Sequence, residues 1–162
     1  MVFVAYYTSP LGIMSMTSDG NRLTTLRFYS QHYAPADVLP KNSEEHPDLP
    51  VFLQTRKWLD VYFSGQEPDF IPQLLPEGTP FRQAVWEQLI TIPFGQTTTY
   101  GEIAQRIGCR SAQAVGGAVG HNPIAIIVPC HRVIGSNGTL PGYAAGIDRK
   151  AWLLKNEELK KQ

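Results

Sequence analysis

Cys130 and His131 stand side by side in "IIVPCHRVIGSNG", residues 126–138, behind Pro129 and ahead of Arg132. A thiol attacks as its thiolate, and an imidazole is the side chain best placed to take a proton near neutral pH. The chain holds only two cysteines and four histidines, so their adjacency asks for a reason. On extended backbone, neighbouring side chains diverge to opposite sides. The pair is therefore either incidental or linked through something lying between the two groups. A cysteine after an aliphatic run is commonly a small buried hydrophobe. A nucleophile needs a base or positive charge nearby, and adjacency to His131 and Arg132 does not by itself supply contact. Zinc ligation is a third reading. Cys109 and Cys130 lie 21 positions apart with no CxxC pair, which disfavours it, and no metal is expected.

The elements that must hold this pair fall into two groups. "MVFVAYYTSPLGIMSMTSDGNRLTTLRFYS" alternates β-branched and aromatic runs with turn chemistry, and predicts three short antiparallel strands joined by hairpins. The proline-rich "HYAPADVLPKNSEEHPDLP" reads as a mobile loop. Residues 51–65 show helical spacing, with Phe52, Thr55, Leu59, Tyr62 and Phe63 on one face, Trp58 flanking it and Gly65 as the stop. "QEPDFIPQLLPEGTP" reads as a linker, placing a domain boundary near residue 75. The expected organisation is an N-terminal domain over 1–75 and a C-terminal domain over 76–162.

The second group is mainly helical. Thr79 and Pro80 open a helix with Phe81, Val85 and Leu89 as its stripe. Thr99 and Glu102 form a capping box for the next, which closes at Gly108. "RSAQAVGGAVGHNP" is a short helix ended by Asn122-Pro123, "AIIV" a buried strand or extended segment, and "DRKAWLLKNEELKK" a last helix capped by Asp148. Two short helices across a glycine turn fit a helix-turn-helix. The second is almost bare of side-chain bulk, from Ala112 to Gly120. Each glycine there weakens a helix by ~1 kcal/mol relative to alanine, so the run has a purpose. Tight packing against a neighbouring helix is one purpose, and lying in a DNA groove is the other.

Composition sets the outer bounds. At 162 residues and 43% apolar, the chain can bury a core in one domain or two small ones. Its longest apolar run, Met1 to Tyr7, is too short to span a bilayer, and no basic residue precedes Arg22, unlike a secretory signal. Two cysteines cannot form a disulfide scaffold, so a cytoplasmic location with free thiols is expected and no membrane partner. Formal net charge is zero. Residues 1–75 nevertheless carry five basic and eight acidic side chains, and residues 76–162 carry nine basic and six acidic. That asymmetry points a polyanion at the C-terminal half.

"VPCHRV" followed by "IGSNGTLPGYAAGIDRKAWLLKNE" resembles the active-site segment of methylated-DNA–protein-cysteine methyltransferases, the O6-alkylguanine-DNA alkyltransferases. The likeness continues through "GTPFRQAVWEQLITIPFGQTTTYGEIA" and "AVGGAVGHNP" and, more loosely, "YYTSPLGIMSMTSDGNRLTTLRF". It implies an α+β fold: a small N-terminal antiparallel sheet with a helix, then a mainly helical domain whose helix-turn-helix binds double-stranded DNA through the minor groove. It further implies irreversible transfer of an alkyl group from O6-alkylguanine to Cys130, with O4-alkylthymine as a second candidate substrate. No cofactor is implied, because the cysteine carries the chemistry, and the protein is expected to work as a monomer.

The resemblance also distributes roles. His131 takes the thiol proton through a bound water, and Glu157 polarises that histidine. Asn122 braces the segment. Tyr143 lines the base pocket, Tyr100 contacts the phosphate 3′ to the lesion, and Val128 and Pro129 shape the wall. Ala114 and Gly117 lie on the DNA-facing helix with Gln113, which stands where the family usually has an arginine that fills the space left by the flipped base. Arg110, in a turn one residue shorter, is the candidate to compensate. Each role has a plain structural rival: Glu157 as a solvated helix face, Tyr143 as a core aromatic, Asn122 as a helix cap. A non-catalytic sensor of alkylated DNA is the alternative function, but such proteins replace the acceptor cysteine that this chain retains. A Cys–His hydrolase is more distant.

Overall fold

The computed structural model describes residues 1–29, 41–138 and 146–161. The chain divides into two compact units, Met1–Pro76 and Glu77–Gln162.

In the first unit, β1 (Val2–Ser9), β2 (Gly12–Ser18) and β3 (Leu23–Phe28) form antiparallel hairpins, and β4 (Ser43–Glu45) adds parallel to β1, giving the order β3-β2-β1-β4. Register sets Ala5 opposite Met16 and Tyr7 opposite Met14, while Met16 and Met14 face Leu26 and Phe28 on β3. With side chains alternating along each strand, these residues share one face, and Ala5, Met14, Met16, Leu26 and Phe28 are buried. Helix α1 (Pro50–Phe63) buries Val51, Phe52, Thr55, Trp58, Leu59 and Tyr62. Tyr7 Oη donates to Asp60 Oδ1 at 2.6 Å, and Arg56 Nη2 donates to the Tyr6 carbonyl at 3.1 Å, so polar bonds set α1 against β1. Gly65, at φ 91°, ends the helix: its own amide and that of Gln66 return to Tyr62 and Val61.

Several expectations need correction here. The proline-rich segment contains β4, because three residues suffice to pair with an open strand edge. Trp58 belongs to the buried face rather than its flank, stacking on Tyr62 with centroids 5.3 Å apart, while Phe63 is only partly covered. The segment read as a linker is partly fastened: the amide of Leu23 bonds to Gln73 and that of Leu75 to Leu23.

The second unit contains α2 (Pro80–Ile90), β5 (Thr98–Thr99), α3 (Tyr100–Arg106), α4 (Ala112–Gly120), a 3₁₀ turn (Cys130–Arg132), β6 (Val133–Ile134) and α5 (Ile147–Lys161). Three hydroxyl caps start its first helices. Thr79 accepts from the Arg82 amide, Thr99 from Glu102 and Ser111 from Ala114. The capping box at Thr99 is only half made, since Glu102 takes the Thr98 hydroxyl instead. Between α3 and α4 the turn is a Schellman motif around Gly108 (φ 70°), whose amide bonds to Gln105 while that of Cys109 bonds to Ala104. Trp86 on α2 is buried and donates its indole N–H to the Ala118 carbonyl at 2.9 Å, fixing α4. Its burial is worth about 1.5–3 kcal/mol by area.

Here too the sequence misled in places. Phe81 is 38% exposed, so the α2 stripe is Val85, Trp86 and Leu89. Asp148 lies inside the first turn of α5, where its charge suits the helix dipole, and is not the residue before it. "AIIV" is no strand. It is a run of turns in which Ile126 sits at φ 70°, a conformation costing a β-branched residue about 1–3 kcal/mol.

Candidate functional site

Cys130, His131 and Arg132 occupy the 3₁₀ turn, not extended chain, so their side chains do not simply diverge. All three are buried. The turn is entered through Pro129, and the Cys130 amide closes back on the Val128 carbonyl at 2.8 Å. Val128 and Pro129, just ahead of the turn, are both buried. Asn122 holds the preceding loop from inside. Its Nδ2 donates to the carbonyls of Ile124 (3.1 Å) and Val128 (2.8 Å), and its Oδ1 accepts from the Ile124 amide at 3.0 Å. Asn122 thus serves the segment ahead of the cysteine rather than only the end of α4.

Helix α5 supplies the carboxylate. Lys150, Leu153 and Glu157 are its buried residues at three, four and seven positions apart, the spacing of a single helix face. Glu157 is 1% exposed and lies 2.5 Å, through Oε2, from His131 Nε2. Its Oε1 accepts from Arg132 Nε at 2.7 Å and from the Gly95 amide at 3.1 Å. Burial alone would raise the Glu157 carboxyl. The hydrogen bond from His131, then the charge and bond of Arg132, outweigh it and hold the group well below the usual carboxylate range. Burial pushes His131 down, which outweighs the opposing pull of Glu157. The arrangement is therefore a neutral imidazole, an ionised carboxylate and a guanidinium. An ionised carboxylate only accepts, so Nε2 carries the ring proton and Nδ1 the lone pair.

Two further groups feel the charge of an ionised Cys130. Tyr100, first residue of α3, has its phenol raised by burial and then by the charge that Cys130 carries when ionised. Lys150 is 1% exposed and donates to the Val133 carbonyl at 2.6 Å. Burial lowers its ammonium, and the charge at Cys130 works in the opposite sense. A cation near an ionised sulfur favours that ionised form, whereas the tyrosine stays a neutral phenol there. Sequence reasoning missed Lys150, although its place seven residues before Glu157 on an amphipathic helix was visible. It also missed Arg132 as a member of the site.

The pairing of β5 with β6 sets Thr98 opposite Val133 and Thr99 opposite Ile134, tying the start of the helix-turn-helix to the end of the cysteine turn. Along α4, Val115, Ala118 and Val119 point inward, while Gln113, Ala114 and Gly117 are exposed, as is Arg110 in the turn. A Cβ at Gly117 or Gly120 would meet nothing within 4 Å, and one at Gly116 only the Tyr100 ring at 3.8 Å. Close packing inside the unit is thus not what keeps this face small. Cys109 sits in the turn, where its sulfur accepts from the Ser111 amide at 3.4 Å. Tyr143 lies outside the described residues. Among the described residues no cluster of three or more His, Cys, Asp or Glu side chains is placed to hold a metal ion, and no helix is long and apolar enough to cross a membrane.

Fold and site together define a two-unit α+β protein with a buried thiol–imidazole–carboxylate centre beside a helix-turn-helix. The chain belongs to the 6-O-methylguanine DNA methyltransferase family: residues 2–75 match its ribonuclease-like domain and residues 80–159 its DNA binding domain. It is 44% identical over 161 residues to the methylated-DNA–protein-cysteine methyltransferase of Haemophilus influenzae, covering 98% of this chain and 87% of that one. The crystal structure of the Mycobacterium tuberculosis O6-methylguanine methyltransferase superposes with a TM-score of 0.89 at 45% identity, over 99% of this chain and 94% of that one. A Mycobacterium tuberculosis OGT structure in complex with DNA gives 0.88 at 43% identity, over 98% and 94%.

Proposed function

We propose that this protein repairs DNA by irreversible transfer of the alkyl group of O6-alkylguanine to Cys130. The observation that carries the reading is the buried contact of Glu157 with His131 in the turn that holds Cys130. A thiol of ordinary pKa, about 8.5, is mostly protonated at neutral pH, so activation needs a base. With Nε2–H given to Glu157, His131 Nδ1 takes the thiol proton through a water, and that water answers how two chain neighbours share one proton. The sulfur then displaces the guanine oxygen in line: the S–C bond forms, the C–O6 bond breaks, and the electron pair leaves on the base. The Lys150 ammonium favours the thiolate before attack. The product thioether is neutral and has no ready route back to thiol, so each molecule acts once.

A stacked base keeps its O6 from the thiol, so the nucleotide must be extruded. The bulk-free face of α4 supports groove contact, with Ala114 and Gly117 letting the backbone close on DNA. Gln113 fills the gap with a neutral amide, and Arg110 adds charge from the turn. Gln113→Arg should then tighten DNA binding and steepen its salt dependence by about one phosphate contact's worth. Tyr100, at the start of α3, contacts the phosphate 3′ to the lesion and helps rotate the nucleotide. Tyr143 would line the base pocket, and O4-alkylthymine is a second candidate substrate. One copy suffices, since Cys130, His131 and Glu157 come from one chain, and a reducing cytoplasm keeps the thiols free.

Duplex DNA carrying labelled O6-methylguanine tests the reading. The expected result is label on Cys130 at no more than one per protein, and none with Cys130→Ser. Tight binding without transfer would instead favour a damage sensor, and turnover beyond one per molecule a hydrolase.

A further inference from the structure

Arg132 is used by neither step of that reaction, yet it is the cation in contact with its carboxylate. Nε donates to Glu157 Oε1 at 2.7 Å, Nη1 donates to the Ile92 carbonyl at 2.8 Å, and the guanidinium lies over the Phe94 ring, 5.7 Å from its centre. Glu157 thereby divides its oxygens, Oε2 to His131 and Oε1 to Arg132 and the Gly95 amide. Among the described residues, the charged or titratable groups bonded to this carboxylate are His131 and Arg132 from the turn. Lys150, two helical turns earlier on α5, is engaged at the Val133 carbonyl, and its charge acts on His131.

A carboxylate shut from water tends to take up a proton, and a protonated one no longer serves as a pure acceptor. The imidazole beside it helps through its hydrogen bond, but burial drives the ring neutral, so the lasting charge comes from Arg132. A guanidinium stays charged throughout the working pH range. We infer that Arg132 is a positioning residue for alkyl transfer: it keeps Glu157 anionic with Oε2 aimed at His131 Nε2, and so fixes the ring tautomer whose Nδ1 takes the thiol proton. Its bond to the Ile92 carbonyl and its place over the Phe94 ring hold the fork in that orientation from the loop after α2. The last link, from tautomer to rate, rests on the transfer reading above.

The experiment compares full-length wild type, Arg132→Met, Arg132→Gln and Arg132→Lys. Single-turnover transfer from O6-methylguanine duplex is followed from about pH 5.5 to 8.5. The rate deficit of Arg132→Met and Arg132→Gln should grow by at least about tenfold as pH falls across that range, because Glu157 protonates where it previously did not. Arg132→Lys, which keeps the charge without the fork, should regain most of the acid-side rate. A deficit constant with pH, or a lysine variant no better than methionine, would overturn the inference and leave Arg132 a packing residue.

A second measurement needs no substrate and survives the loss of either neutral variant. Carbon-13 shifts of the Glu157 carboxyl and nitrogen-15 shifts of His131 are titrated in the intact protein. In wild type and Arg132→Lys the carboxyl should stay ionised through pH 5, with a fixed Nε2–H ring. In whichever neutral variant folds, the carboxyl should titrate above pH 5 and the ring should lose its single tautomer. Identical titrations in all variants would overturn the inference. If wild type transfers no alkyl group, the functional reading fails by itself, and these titrations still decide the role of Arg132.

Discussion

Glu157 accepts the Nε2–H of His131 at 2.5 Å across 26 residues of chain, with both side chains closed to solvent. A helix face and a single tight turn bring them together. Neither would be stable alone in that place: the carboxylate lacks water, and the imidazole is barred from charging.

That contact makes stability fall in acid. Glu157 has its pKa lowered from 4.5 to about 2, so its contribution is fully present above about 4.5 and is lost as pH falls toward 2. The loss amounts to something on the order of 2–3 kcal/mol. His131 adds to it. Its pKa is lowered in the folded protein, so the unfolded chain protonates first and stability declines as pH drops below the ordinary histidine value of 6.5. Glu157→Gln should therefore lie below wild type at pH 7 by a margin that shrinks as pH falls toward 2. Urea midpoints across the range measure it; a margin independent of pH would contradict the ionised carboxylate.

Asn122 makes three bonds to the loop that leads into the cysteine turn. Asn122→Ala removes all three: the Ile124 and Val128 carbonyls keep the amides of Val128 and Cys130, but the buried Ile124 amide loses its bond, at a cost of about 1–3 kcal/mol. The transfer rate should fall with it, since Ile126 holds its left-handed backbone only under such restraint. Denaturant unfolding and single-turnover kinetics on the same variant should both report the loss. Unchanged kinetics would show that the brace serves stability alone.

Gly117 separates the two explanations of the small-residue helix. Because a Cβ there meets no atom within 4 Å, Gly117→Ala should stabilise the unit by about 0.5–1 kcal/mol through helix propensity. Gly117→Leu should fold as well, yet bind duplex DNA at least about tenfold more weakly, as its side chain stands on the exposed face. Thermal melts and fluorescence anisotropy with labelled duplex read the two effects. Undiminished affinity in the leucine variant would remove this face from the DNA interface.

Gly78 is small for the opposite reason. An added Cβ would lie 2.4 Å from Cη2 of Trp86, a contact that forces the indole to move. Gly78→Ala should cost about 1–3 kcal/mol by overpacking and disturb the bond from Trp86 to the Ala118 carbonyl. Tryptophan emission and the urea midpoint should shift together, whereas an unaltered midpoint would mean that the loop before α2 yields freely.

What the sequence determined by itself is whatever short-range chemistry dictates. Thr79, Thr99 and Ser111 announce helix starts because a side-chain oxygen one turn away satisfies an amide, and Gly65 and Gly108 announce ends because left-handed backbone favours them. The hairpins of β1, β2 and β3 follow from alternation and turn residues, and the run through Pro129, Cys130, His131 and Arg132 is specific enough to identify the family from sequence. Tertiary structure alone decided the rest, since burial and partner choice depend on residues distant in the chain. It placed Glu157 inside rather than on a solvated face, turned "AIIV" from strand to a strained loop, added β4 at an open edge, and brought Lys150 to the Val133 carbonyl and Arg132 to Glu157. No local pattern encodes such choices, because a charged side chain reads the same in sequence whether it meets water or a buried counter-charge.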